Sequence, residues 1–208
     1  MSQEMQTNMQ QPRTIQLTLM RHAQTKGNLE HRYNGVIDEP LCEQGIEACQ
    51  QREPDLGVEK VLVSPLLRAR QTAQICFPNA RQIVVEDLRE TDFGIFEGKN
   101  FEDLKDDARY RRWVESNCED PCSQGETNSQ FTARVADAFA QLVSIAASSG
   151  ESELVIVAHG GTVMAIMARY AQERRSFHDW HVPNCGGYRA TIVLDEDGGF
   201  TIADPVPL

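Results

Sequence analysis

The sequence predicts an α/β fold: a three-layer sandwich with a mostly parallel central sheet, helices on both faces and a small helical inserted lobe. Short apolar runs of strand length alternate with longer amphipathic stretches along most of the 208 residues. This alternation is typical of a parallel sheet built from strand–helix units. Residues 86–130 interrupt the rhythm because they are charged and poor in β-branched residues. We expect residues 14–208 to form one domain that carries residues 86–130 as the lobe.

The first half of the chain supplies three predicted strands. Residues 15–20 predict a buried strand, and a helix is expected over residues 41–52 after a proline-containing turn. Residues 61–63 and 82–85 predict the next two strands, with a helix over residues 66–76 between them. Strand, helix and strand in succession indicate parallel pairing.

The second half completes the sheet. Residues 131–147 place apolar side chains at helical intervals and end in Ser-Ser-Gly, a typical helix stop. The other predicted elements are two short lobe helices near 101–107 and 109–116, a strand over 154–158, a helix over 161–170, and a hairpin of strands 188–194 and 200–203. The hairpin is the one antiparallel feature that the pattern predicts.

Net charge excludes some classes of partner. Asp and Glu number 31 against 20 Lys and Arg, which gives a formal charge of −11. Such a chain does not attract nucleic acid or anionic membranes through its overall field, so we expect neither partner. No apolar run approaches the roughly 18 residues of a membrane span. Residues 1–13 are polar and lack the apolar core of a signal peptide, so they predict a disordered leader on a cytoplasmic protein.

Metal-ligand patterns are weak in the sequence. The six cysteines are scattered without a Cys-x-x-Cys pair, and we expect free thiols. A disulfide or metal site at Cys118 and Cys122 remains an alternative. His178 and His181 form a His-x-x-His pair that would need further ligands from elsewhere. We therefore expect no metal and no other cofactor.

Polar residues follow each of the predicted parallel strands. Arg21 and His22 follow the first strand, Arg68 the second, Glu90 the third and His159 the fourth. Ligands of open α/β sheets bind beyond the carboxyl ends of the strands, so these five side chains are expected to meet there. Two histidines, two arginines and a carboxylate in one place are not explained by core packing.

Each residue type suits one step of phosphoryl transfer. Arg21 and Arg68 present planar forks of N–H donors that match phosphoryl oxygens. His22 can attack phosphorus through an unprotonated ring nitrogen, and His159 can donate to the transferred group. Glu90 can protonate the leaving oxygen and then activate water. The set predicts a two-step transfer that needs no metal.

Four sequence blocks resemble the histidine phosphatase superfamily, also called phosphoglycerate mutase-like. Residues 19–28 (LMRHAQTKGN) are similar to its Arg-His-Gly signature, and residues 64–73 (SPLLRARQTA) to the segment of its second phosphate-binding arginine. Residues 88–98 (LRETDFGIFEG) and 157–161 (VAHGG) resemble the segments of its acid/base glutamate and second histidine. Ala23 stands in place of the usual glycine of the signature.

The resemblance implies a role for each matching residue. His22 corresponds to the phosphorylated nucleophile, and Glu90 to the proton donor. The implied phosphate pocket consists of Arg21, Arg68, His159, Asn28, Thr25 and the backbone N–H of Gly160. The resemblance also implies the three-layer α/β fold and a small phosphorylated metabolite as substrate.

The chain length and the region of residues 113–127 resemble the compact phosphatase branch, in particular alpha-ribazole phosphatases. Alpha-ribazole 5′-phosphate is therefore one candidate substrate. Phosphoglycerate mutase-type transfer and non-catalytic binding of a phospho-ligand remain alternatives. A doubly wound nucleotide-binding module has no support, because neither Gly-x-Gly-x-x-Gly nor Gly-x-x-x-x-Gly-Lys-Ser/Thr is present. The oligomeric state is open, a homodimer included.

Two features of the lobe have alternative interpretations. Arg109, Arg111 and Arg112 either contact a second anionic group of the substrate or form a solvated helix face. Tyr110 and Trp113 either stack on a base or sugar or pack in the core of the lobe.

Overall fold

The computed structural model describes residues 13–208, apart from the side chain of Cys122. The predicted leader, residues 1–13, lies outside the described residues except for Arg13, and so does the proposed pairing of Cys118 with Cys122. None of the helices in the described range is long and apolar enough to cross a membrane.

Six strands form one mixed sheet in the order β3-β2-β4-β1-β5-β6. The strands are β1 (Thr14–Arg21), β2 (Lys60–Val63), β3 (Arg81–Val84), β4 (Glu153–Ala158), β5 (Gly187–Leu194) and β6 (Phe200–Pro207). The first four pair in parallel, and β5 and β6 add an antiparallel hairpin at the β1 edge. The helices are α1 (Lys26–Leu29), α2 (Glu43–Gln50), α3 (Leu67–Cys76), α4 (Phe101–Leu104), α5 (Ala108–Glu115), α6 (Asn128–Ser149) and α7 (Gly160–Tyr170).

Helices cover both faces of the sheet. Along β4, Ile156 joins the apolar cluster beneath α6 and α7, whereas Val155 and Val157 join the cluster beneath α2 and α3. Successive side chains of a strand point to opposite faces, so a strand that is apolar at every position is buried on both. The predicted sandwich with its mostly parallel sheet is confirmed.

The segment between β3 and α6 forms the lobe and has its own small core. Phe96, Leu104, Tyr110 and Trp113 are all buried, and Tyr33 from the segment after α1 packs against them. Tyr110 and Trp113 therefore serve first as packing residues. Three short 3₁₀ turns (Glu86–Leu88, Gly94–Phe96 and Pro121–Ser123) link the lobe helices.

Three of the differences from the sequence-based expectation have a clear physical cause. α6 begins at Asn128 rather than 131, because Thr127 and Gln130 form a capping box that extends the helix by one turn. α1 is absent from the expectation, since four residues are too few to show periodicity. β6 extends to Pro207 rather than 203, as an edge strand tolerates proline.

Candidate active site

The two histidines emerge side by side at the carboxyl end of the sheet. Arg21 and Ala158 are register partners in the parallel pair β1–β4, and each is the last residue of its strand. His22 and His159 come next in the chain, and His159 is the N-cap of α7. Their ring centroids lie 5.1 Å apart, with 64° between the ring planes.

The backbone fixes the tautomer of His22. Its Nδ1 lies 2.6 Å from the carbonyl oxygen of Ala23, and a carbonyl can only accept. Nδ1 therefore carries the proton, and Nε2 of the neutral ring keeps its lone pair. Burial and the positive charge of Arg68 hold the pKa of His22 well below its ordinary value. A neutral ring with an unprotonated Nε2 is the form that a nucleophilic imidazole requires.

The ring of His159 has one nitrogen satisfied and one available. Nε2 lies 2.6 Å from Oγ of Ser64, which directly follows β2, whereas Nδ1 is buried and meets no acceptor among the described residues. When the Ser64 hydroxyl donates to Nε2, Nδ1 carries the proton and can donate to an anion beside His22. Burial and Arg68 hold the pKa of His159 well below its ordinary value.

Arg68 is held in place by hydrogen bonds to the backbone carbonyls of one loop, residues 34–37. It lies in the first turn of α3 with 1% of its surface exposed. Its guanidinium donates to the carbonyl oxygens of Asn34 (3.0 Å), Gly35 (2.9 Å) and Ile37 (2.8 Å). The carboxylate of Glu97 accepts from the N–H groups of the same loop, at Gly35, Val36 and Ile37. Glu97 therefore holds the loop that holds Arg68.

The guanidinium of Arg21 is anchored through one nitrogen and has another nitrogen without a partner among the described residues. Its Nη1 donates to the carbonyl of Val182 at 2.8 Å, and its Nε is buried without an acceptor in the described part of the chain. A Cβ at Gly160 would lie 3.3 Å from that Nε. Glycine at this position leaves the space that the guanidinium uses.

Glu90 sits over the N-terminus of α7. Its carboxylate accepts from the N–H groups of Gly161 and Thr91, each at 3.0 Å. A Cβ at Gly161 would clash with Oε1 of Glu90 and lie 3.0 Å from the ring of Phe131. Glycine is therefore required at position 161 for the Glu90 carboxylate to lie where it does. The N–H of Gly161 already donates to this carboxylate and is not available to a phosphate.

Arg134 on α6 supports Glu90 from behind. Its guanidinium forms a two-pronged pair with Glu126, at 2.7 and 2.6 Å. The same group donates to the carbonyl oxygens of Asp87 (2.8 Å), Arg89 (3.2 Å) and Glu90 (3.4 Å). Sequence reasoning missed this residue, since an arginine within an amphipathic helix carries no distinguishing signal.

Asn28 and Thr25 lie beside the histidines and hold each other. Thr25 caps α1 and is buried, and its Oγ1 accepts from the N–H of Asn28 at 3.2 Å. The Oδ1 of Asn28 accepts from the side chain of Asn184 at 3.0 Å, which leaves its amide donor available. Asn184 also donates to the carbonyl of His22. A direct substrate contact for Thr25 and Asn28 stays a prediction.

Next to the histidines opens an aromatic cleft of about 480 Å³. Arg21, Glu90 and Gly160 line its inner end. Its other walls include the side chains of Tyr33, Phe93, Trp113, Phe131, Met164, Phe177, His178 and His181. The cleft can therefore hold an apolar or aromatic group attached to a phosphoryl group at the histidines.

Other residues singled out from the sequence lie elsewhere or act differently. Arg109 pairs with Asp107 and Arg112 with Asp120 on the outer side of the lobe, and neither arginine lines the aromatic cleft. His178 and His181 gain no third potential metal ligand among the described residues. Ala23 has no left-handed backbone, so the methyl group in place of glycine is accommodated.

Comparison with known proteins identifies the family. The family model described as "Histidine phosphatase superfamily (branch 1)" matches residues 17–203. The chain belongs to the histidine phosphatase superfamily.

Relatives in this superfamily include both mutases and phosphatases. A Klebsiella pneumoniae protein named "Probable phosphoglycerate mutase GpmB" is 30% identical over 174 residues, which cover 77% of this chain and 79% of the relative. The alpha-ribazole phosphatase from Shigella flexneri is similar in structure, with a TM-score of 0.74, 25% identity, and coverage of 92% of this chain and 96% of that one. A phosphoglycerate mutase from Thermus thermophilus has a TM-score of 0.61, 28% identity, and coverage of 93% and 99%.

Proposed function

We propose that this histidine phosphatase superfamily member is a metal-independent phosphomonoester hydrolase that acts on a small phosphorylated metabolite through a phosphohistidine at His22. One observation carries the proposal. Arg21 adjoins His22 in the chain and the ring centroid of His159 lies 5.1 Å from that of His22, and the buried Nε of Arg21 and Nδ1 of His159 both lack a hydrogen-bond partner among the described residues. Buried donors in native proteins are almost always paired, and the oxygens of a phosphoryl group would pair both.

The reaction follows in two balanced steps. Nε2 of His22 attacks phosphorus, the P–N bond forms, and the ester P–O bond breaks as Glu90 gives its proton to the leaving oxygen. Glu90 then takes a proton from water, whose oxygen attacks the phosphohistidine, and the P–N bond breaks. Arg21 and Arg68 stabilise the charge on the phosphoryl oxygens in both steps.

The aromatic cleft supports a substrate with a planar apolar part. Tyr33, Phe93 and Trp113 form its outer wall and contact one another at ring distances of 5.2 to 6.1 Å. Because aromatic rings favour stacked and edge-to-face partners, this wall suits a ring system. Alpha-ribazole 5′-phosphate is the candidate that we place first, since an alpha-ribazole phosphatase is among the similar structures.

A mutase is the second candidate function. It is favoured by the 30% identical relative, whose name is that of a phosphoglycerate mutase. A mutase would return the phosphoryl group of His22 to the substrate instead of passing it to water, so its turnover would depend on a bisphosphorylated primer.

Phosphate release in the presence of a chelator tests the proposal. The panel contains p-nitrophenyl phosphate, alpha-ribazole 5′-phosphate and 3-phosphoglycerate, each assayed with wild type and His22→Ala. We expect release by the wild type only, together with an acid-labile phosphoenzyme that the variant lacks. Activity only with a bisphosphorylated primer would favour the mutase. Tight phosphate binding without turnover would favour a non-catalytic binding protein.

A further inference from the structure

Three buried cysteines from separate segments meet beneath the sheet. Cys49 lies in α2, Cys76 is the last residue of α3, and Cys185 precedes β5. Their exposed fractions are 1%, 6% and 6%. All three sulfur atoms lie within 4.8 Å of one another, and the Sγ atoms of Cys49 and Cys185 are 3.5 Å apart. The phosphoryl chemistry at His22 uses none of these thiols.

We propose that Cys49, Cys76 and Cys185 form a three-coordinate thiolate site for a soft metal ion of the Cu(I) class. Three sulfurs at about 2.3 Å from a metal in their plane would be about 4.0 Å apart. The observed spacing of 3.5 Å to under 4.8 Å lies around this value. A disulfide needs its sulfurs at about 2.05 Å, so Cys49 and Cys185 are separate thiols, and the spacing of the cluster is compatible with a metal ion between the sulfurs.

The chemistry of the donors selects the metal. Thiolates favour Cu(I), zinc and iron–sulfur clusters over oxygen-seeking cations. Structural zinc and the usual iron–sulfur clusters need four protein ligands. Within the described range, no fourth cysteine, histidine or carboxylate joins the group. The same apolar cluster contains Met20, whose thioether is another soft group, so three-coordinate Cu(I) fits these surroundings best.

The surroundings include a cleft and a positive charge. A narrow cleft of about 50 Å³ is lined by Met20, Arg52, Cys76 and Phe77, so one of the three cysteines borders a cleft. Arg52 donates to the carbonyl of Cys185 at 2.9 Å, and its charge opposes the negative charge of the thiolates. On binding, three S–H protons leave to solvent and three Cu–S bonds form, with no electron transferred.

Titration of the reduced 208-residue protein with Cu(I), under anaerobic conditions and against a chromophoric Cu(I) chelator, tests the site. We expect one tightly held copper per chain. Serine substitution at Cys49, Cys76 or Cys185 should weaken binding at least about a hundredfold, since loss of an outer partner alone costs roughly 10- to 100-fold. Cys42→Ser is the matched control: Cys42 is half-buried and lies outside the cluster, so its loss should leave the affinity unchanged.

X-ray absorption at the copper edge of the wild type is the second measurement, and it decides the matter if a serine variant fails to fold. Three sulfur scatterers are expected. Fewer than three, a loss of binding in Cys42→Ser, or displacement of Cu(I) by an equal amount of Zn²⁺ would overturn the proposal. An absence of stoichiometric binding would show that the cysteines are only small apolar core residues.

Discussion

Replacing Arg134 with methionine tests whether Glu90 acts from a position that α6 imposes. Methionine keeps most of the apolar stem but removes the two-pronged contact with Glu126 and the three hydrogen bonds to the backbone of residues 87–90. Nothing that touches a phosphoryl group at His22 is altered directly. Arg134 also carries a positive charge that acts on His159 and contacts the ring of Phe131, so the assay must separate these influences from the placement of Glu90.

The structure sets the expected loss of stability and the expected loss of kcat in Arg134→Met. The side chains of Arg134 and Glu126 are only 13% and 17% exposed, and breaking a buried pair costs about 3–5 kcal/mol. Glu126 keeps a hydrogen bond from the Asp92 N–H at 3.1 Å and a more distant Arg89 at 3.9 Å, so we expect the lower end, about 3 kcal/mol. A shift of Glu90 by about 1 Å would lower kcat by up to about a hundredfold.

The assay compares good and poor leaving groups. A proton donor matters little for p-nitrophenolate and much for an alkoxide. Arg134→Met should therefore lower kcat several-fold more for an alkyl phosphate than for p-nitrophenyl phosphate, as Glu90→Gln should. Urea unfolding followed by circular dichroism gives the stability in the same preparation.

Two controls make the test specific. The double variant Glu126→Met/Arg134→Met should be more stable than Arg134→Met alone, because it leaves no half-buried carboxylate without its main partner. Arg174→Met changes an exposed arginine and should leave both quantities unchanged. Equal losses of kcat for good and poor leaving groups in Arg134→Met would refute the argument that Arg134 acts through Glu90.

The remaining predictions concern pH and the glycine beneath Glu90. His22 and His159 have lowered pKa values in the folded protein, so the unfolded chain binds protons first as the pH falls below about 6.5. Urea midpoints should show full stability from these groups above pH 6.5 and a loss below it of up to about 1.4 kcal/mol per pH unit for each histidine. His159→Gln should halve the pH dependence of the unfolding free energy that the two histidines cause together. The same slope of stability against pH in this variant and in the wild type would contradict the lowered pKa of His159. Gly161→Ala should lower kcat by about ten- to a hundredfold by displacing Glu90, whereas Gly57→Ala, whose new Cβ meets its nearest atom at 3.5 Å, should have no effect. Full activity in Gly161→Ala would show that catalysis does not depend on the position of Glu90 beside Gly161.

Much of the fold could be predicted because its signals are local. A strand that is apolar at every position, such as residues 154–158, reports burial on both faces of a parallel sheet. The elements that were missed are those without periodicity, such as α1 and the first turn of α6. Both depend on side chains that cap a helix, and a capping pair is only a few residues long.

The clustering of the candidate catalytic residues was predictable for a different reason. Arg21, His22, Arg68, Glu90 and His159 stand next to strand ends or in motif blocks, and the topology of a parallel sheet brings such positions to one edge. Their partners were not predictable. Asn34 and Ile37 serve Arg68 only through backbone carbonyls, which carry no sequence signature. Arg134 reaches Glu90 across 44 residues of chain.

The sequence by itself determined the layered α/β architecture and the family, and it named the candidate catalytic residues, because each of these is recorded in periodicity or in short contiguous motifs. The tertiary structure alone decided which nitrogen of His22 is free, which buried polar atoms near it lack a partner in the described part of the chain, and that three scattered cysteines lie together in the core. These properties depend on distances between segments far apart in the chain. A spacing in sequence does not specify such a distance until the core has packed.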